Sequence, residues 1–189
     1  MSAVEYVVIF TSIVLGLALS SILVNFDRLL RAGRRVRWHW AAPVTAVLVV
    51  LLLIQVWWSL FPDQAGAVST IGAFLPQLGL LILLFLLASA SLPAEVPDEG
   101  LSLGAWYDRN GPYFWTLMTL SMLWTIGTHL AEVILGHTAM TDFLANRQMD
   151  FLVVALFGSL IVVRRRWWHA VVIAAAMAGP VGWLSRTIG

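Results

Sequence analysis

Cysteine and lysine are both absent from this chain of 189 residues, and charged side chains make up only 11% of it. Without cysteine there is no disulfide, no iron–sulfur cluster and no thiol nucleophile, although the compartment stays open. The missing lysines leave arginine as the whole basic complement of 11 residues, a compositional bias that carries no function by itself. Several catalytic signatures are missing too. There is no HExxH, no Walker loop, no GxSxG and no glycine-rich dinucleotide fingerprint, so hydrolase or nucleotidase activity has no support. The basic loops are short, and nucleic-acid binding has no case.

What the chain has in quantity is apolar surface. Hydrophobic residues make up 60% of it and its mean hydropathy is +0.89, against roughly 45 to 50% apolar in soluble domains. This is the composition of an integral membrane protein. The start, MSAVEYVVIF, has no basic region and carries Glu5, so it is not expected to be a cleaved signal peptide. Apolar runs over residues 3–25, 40–60, 70–93, 113–136, 143–163 and 167–185 predict six transmembrane helices in one all-α membrane domain over 1–189. Nine of the 11 arginines fall in the first, third and fifth loops, which places those loops in the cytoplasm and both termini outside it. A bacterial inner membrane is the expected home.

The fourth run, YFWTLMTLSMLWTIGTHLAEVILG, is apolar enough to span yet contains His129 and Glu132. At about 100° per residue, Ser121, Thr125, Thr128, His129 and Glu132 share one face about 100° wide. A charged group in hydrocarbon costs at least about 2.5 to 3.5 kcal/mol, so that face should turn toward protein or water. On the first helix Glu5, Ser12, Gly16, Ser20 and Asp27 fall within about 80° of one another, a stripe that should pack on another helix or line a cavity. With the predicted topology Glu5, Gln55, Ser59, Thr70, Gln77, His129, Glu132, Arg147 and Asp150 all lie toward the outer surface. Pathway candidates are therefore Glu5, Ser12, Gln55, Gln77, Thr125, Thr128, His129, Glu132 and Asp150. The structural counter-reading has Arg147 and Asp150 pairing with Glu132 or Glu5 to neutralise them, which fixes helix contacts without transport.

The fifth run is short unless its helix starts near Asp142, with Thr141 or Asp142 as N-cap. In the sixth, Ala170, Ala174, Ala178 and Gly182 recur every four residues as a tight-packing face, and Gly179-Pro180 should kink it. RRVRWHW at 34–40 and RRRWWH at 164–169 repeat one pattern. Arg34, Arg35, Arg37, Arg164, Arg165 and Arg166 read as contacts to anionic lipid headgroups, with Trp38-His39 and Trp168-His169 as interfacial anchors. Between these loops, PDEGLSLGAWYDRNGP suggests turns and a short interfacial helix around Leu101, Leu103, Trp106 and Tyr107.

No cofactor is expected. His129 and Glu132 could offer two metal ligands, but the di-iron pattern runs Glu-x-x-His and needs a second copy. Haem would need two opposed histidines, whereas His39 and His169 sit at the inner interface and His129 and His137 on one outer helix end. No potassium-channel signature or voltage-sensor arginine repeat is present. Three spans on either side of the third loop make inverted halves, as in many secondary transporters. Two functions are carried forward. One is a cation or proton pathway, channel or transporter, lined by the first and fourth helices. The other is a noncatalytic accessory subunit, a homo-oligomer or a member of a larger membrane complex.

Overall fold

The computed structural model describes residues 3–59, 71–136 and 139–183. Thr70, His137 and Arg186 lie outside them. The described residues form seven α-helices: α1 (Ala3–Ala32), α2 (Ala41–Trp58), α3 (Ile71–Ala90), α4 (Leu103–Ile134), α5 (Met140–Asn146), α6 (Gln148–Val162) and α7 (Arg166–Trp183). Three, α1, α2 and α4, are long and apolar enough to cross a membrane, and four if the bent pair α5 and α6 counts as one span. α4 packs most extensively on α6 and α3, and α1 on α3. One contiguous core draws Leu15 and Leu29 from α1, Leu48 from α2, Leu81 and Leu87 from α3, Trp115 and Met118 from α4, Phe157 and Leu160 from α6 and Ile173 from α7.

Two places differ from the expected boundaries. The first is the stretch ahead of the fourth run. Leu101–Ser102 is a short strand (β2) in parallel pairing with Val36–Arg37 (β1). The Ser102 side chain then caps α4, accepting from the Ala105 backbone N–H at 3.5 Å, and the helix continues unbroken through Asn110, Gly111 and Pro112. Asn110-Gly111-Pro112 is therefore helix and not turn. Asn110 instead sends its amide to the Ala90 carbonyl at the end of α3, 2.8 Å away, satisfying one of the acceptors that a helix C-terminus leaves open. At 32 residues, α4 is roughly 48 Å long.

The second difference is the fifth run. α5 begins at Met140 after Ala139, with no side-chain cap, so neither Thr141 nor Asp142 is the N-cap. The helix breaks at Arg147 (φ −112°, ψ 9°), and α6 leaves at 55° to α5. Arg147 then bonds Asp150 at 2.8 Å, with Asp150 in the first turn of α6, where the helix dipole favours a carboxylate. α7 runs through Gly179 and Pro180 to Trp183.

The three arginine-bearing loops meet at one end of the bundle. Arg28 donates to the Ala94 carbonyl at 2.8 Å, Arg35 pairs with Asp98 at 3.0 Å, and Arg166 pairs with Asp108 at 2.6 Å. Gly100 makes the crossing of β1 and β2 possible: its φ is +96°, and a Cβ there would stand 2.9 Å from the Arg35 carbonyl oxygen. Only glycine meets both conditions cheaply.

Candidate functional site

The stripe on α1 is built as the sequence suggests, but it faces outward. The buried positions of α1 are Thr11, Leu15, Ala18, Ile22, Asn25 and Leu29, an alternating four-three spacing that lays one face against the bundle. Gly16 and Ser20 stand about 140° and 180° round the helix from that face, and both are exposed. Nothing lies within 4 Å of the position a Gly16 Cβ would take. Asp27 pairs with Arg31 one turn on, at 2.7 Å. The alanine face of α7 is open in the same way: Ala170, Ala174 and Ala178 are exposed, whereas His169, Val172 and Ile173 are buried. Among the described residues, neither small-residue face makes the close contact that its spacing predicts.

The polar face of α4 is satisfied locally. Ser121 donates to the Leu117 carbonyl (2.9 Å), Thr125 to Ser121 (3.1 Å), and Thr128 to Thr125 (2.8 Å). His129 Nδ1 bonds the Thr125 carbonyl oxygen at 2.8 Å, so Nδ1 carries the proton. Such back-bonding quiets a hydroxyl in an apolar setting without a second helix. Exposure rises along the face, from buried Ser121 to exposed Glu132. His129 and Glu132 lie in the last two turns of α4, which ends at Ile134. Arg147 pairs with Asp150, and Glu132 has no ion pair among the described residues. Gln55 is exposed and Gln77 half-buried. Thr125, Thr128 and His129 bond within α4 and Asp150 bonds Arg147, whereas Glu5, Gln55 and Glu132 are exposed and Ser12 is half-buried.

A polar constellation that the sequence reading does not single out lies at the arginine-rich end, between α4, α6 and α7. Trp115 is wholly buried, with Tyr107 at 6% and His169 at 7% exposure. His169 Nε2 lies 2.8 Å from the Val163 carbonyl oxygen, which can only accept, so Nε2 holds the proton. Nδ1 is then an acceptor for the Tyr107 hydroxyl at 2.8 Å. Tyr107 in turn accepts from Trp115 Nε1–H at 3.0 Å. The chain of bonds runs one way, from Trp115 through Tyr107 to His169 and the α6–α7 link, and it consumes every donor. Ring contacts of 5.6 Å between Tyr107 and His169 and 5.5 Å between Trp115 and Phe157 fill the space around it. His169 is thus a buried structural histidine and not an interfacial anchor. Trp168 also turns inward, donating from Nε1 to Ser159 Oγ at 2.8 Å.

Beside this network opens a cavity of about 220 Å³. Tyr107, His169, Asp108, Arg164 and Arg166 form its polar wall, and Gly111, Pro112 and Leu160 its apolar one. Arg34, Arg35, Arg37, Arg164, Arg165 and Arg166 are all exposed, but Arg35 and Arg166 are already engaged by Asp98 and Asp108. His39 packs over Gly104, where an added Cβ would meet its ring at 3.3 Å. Its Nε2 lies 3.5 Å from Arg166. Comparison with family models, with curated proteins and with solved structures finds no match to this chain.

Proposed function

We propose that this chain is a noncatalytic subunit of a membrane assembly, built on six spans with both termini outside the cytoplasm in a bacterial inner membrane, and that it assembles through α1 with a second copy of itself. The observation that carries the reading is the open face at Gly16. Ser12, Gly16 and Ser20 form two successive small-xxx-small steps, the pattern through which membrane helices approach closely in right-handed crossings of about −40°. Large side chains suffice for a helix face that meets only lipid, so a run of small ones left uncovered suits a neighbour. Charge does not oppose a parallel pair of α1 helices. Glu5 and Asp27 lie 11 residues either side of Gly16, roughly 16 Å along the axis, where crossed helices have diverged. Asp27 is also paired with Arg31.

A second reading, a cation or proton pathway, draws on the α4 face. Thr125, Thr128 and His129 are half-buried and Glu132 is exposed, so a neighbouring chain packed there would enclose them. The absence of cysteine gives a clean test of both. Gly16→Cys and Ser20→Cys, made singly and oxidised in native membranes, should each form a disulfide-linked dimer, while Leu17→Cys on the exposed apolar face should not. Equal cross-linking at the three positions, or none at Gly16 and Ser20, would remove the α1 contact. Sealed vesicles holding the wild-type chain should show no pH-dependent ion flux; flux abolished by Glu132→Gln would favour the pathway instead.

A further inference from the structure

The arginine-rich end carries a charge imbalance that the described residues do not resolve. α7 starts at Arg166 with no acidic residue in its first turn, and Arg164 and Arg165 immediately precede it. A helix N-terminus bears about half a positive charge, so three guanidinium groups stand where a carboxylate is usually found. Asp108 answers only Arg166. Arg164 lines the cavity and has no hydrogen bond or ion pair among the described residues.

The cavity wall selects the sign and shape of what would fill it. Tyr107 and His169 have no donor to spare, because the hydroxyl proton goes to His169 Nδ1 and the Nε2 proton to Val163. Asp108 in the same wall is held by Arg166, so the charged group left without a partner among the described residues of that wall is the Arg164 guanidinium, and it calls for an acceptor, best an anionic one. Gly111 and Leu160 line the other side, and nothing lies within 4 Å of where a Gly111 Cβ would project. Close by, Val162 is 80% and Trp167 60% exposed, an apolar surface at the ends of two helices that a polar anion alone would leave bare. A volume of 220 Å³ holds about seven waters at roughly 30 Å³ each, enough for a phosphate and part of a glycerol.

We propose that this cavity seats the phosphate of an acidic phospholipid, with Arg164 donating to its oxygens, Arg166 adding positive charge beside it, and the acyl chains lying over Val162 and Trp167. Guanidinium suits phosphate because its N–H groups pair with two oxygens at once. The proposal is independent of the α1 contact, which involves a different helix.

The test is native mass spectrometry of the full chain in neutral detergent, titrated with phosphatidylglycerol, phosphatidylcholine or inorganic phosphate. Phosphatidylglycerol should give a one-to-one adduct. Arg164→Gln should weaken it about tenfold or more, as expected for losing a charge-assisted contact. Gly111→Leu, which plugs the cavity and leaves every arginine in the chain, should weaken it similarly. Arg34→Gln, an exposed arginine at the same end but outside the cavity, should leave it unchanged. Undiminished binding in Arg164→Gln, or an equal loss in Arg34→Gln, would overturn the site. Inorganic phosphate that displaces the lipid at equal concentration would show a free-anion site and overturn the lipid assignment. If Gly111→Leu does not fold, Arg164→Gln at its exposed position still decides.

Discussion

Replacing Tyr107 by phenylalanine removes one oxygen and strands two buried partners. Trp115 Nε1–H would lose its acceptor and His169 Nδ1 its donor, since both bonds, 3.0 and 2.8 Å, end on the Tyr107 hydroxyl. A buried polar group left unsatisfied costs about 1 to 3 kcal/mol, so the pair should cost about 2 to 6 kcal/mol. Water from the adjoining cavity could reach the His169 side and not Trp115, which is fully enclosed; this favours the lower half of the range. At about 2 to 4 °C per kcal/mol for a chain of this size, Tyr107→Phe should lower the unfolding midpoint in detergent by roughly 4 to 16 °C. His169→Leu should be costly too, stranding the Tyr107 proton and the Val163 carbonyl. The double variant should cost less than the sum, because removing both ends of a bond avoids part of the penalty twice counted, with a coupling of about 0.5 to 3 kcal/mol. A midpoint within 1 °C of wild type for Tyr107→Phe, or strict additivity in the double variant, would show that the directed chain of bonds does not hold this end together.

The other predictions concern single contacts read by the same unfolding measurement. Gly79→Ala would put a Cβ 2.8 Å from Trp124 Cε2 and closer still to Cζ2; overpacking of this kind costs about 1 to 3 kcal/mol, and Trp124→Leu in the same chain should restore most of it. Thr11 is fully buried, and its hydroxyl has no partner among the described residues, so Thr11→Val should be neutral or stabilise by about 1 kcal/mol; a clear loss would show that the hydroxyl is hydrogen-bonded in the folded chain. Glu132→Gln should change stability by less than about 0.5 kcal/mol, because Arg147 keeps Asp150 as its partner; a drop of several kcal/mol would mean that Glu132 neutralises a buried cation.

Helix existence could be read directly from the apolar runs, and the helix ends only in part. Asn110-Gly111-Pro112 resembles a turn until Asn110 is seen capping α3 from 20 residues away; that partner is invisible to any local pattern. The Tyr107–His169 bond, 62 residues apart, is hidden for the same reason. The α1 stripe poses a different problem. Its spacing is plain in the sequence, but not which way it faces. In a soluble helix, apolar periodicity marks the buried side because the other side meets water. In a bilayer both sides meet hydrocarbon, and hydropathy loses that power. The buried face of α1 includes Thr11 and Asn25, and the open face includes Ile9, Ile13 and Leu23 beside Gly16 and Ser20. Side-chain size carries the information that polarity cannot. Large residues at Leu15, Ile22 and Leu29 fill the core of this chain, whereas the small ones at Gly16 and Ser20 leave a groove, and a groove in a membrane helix loses packing contacts with flexible lipid that a second helix would supply.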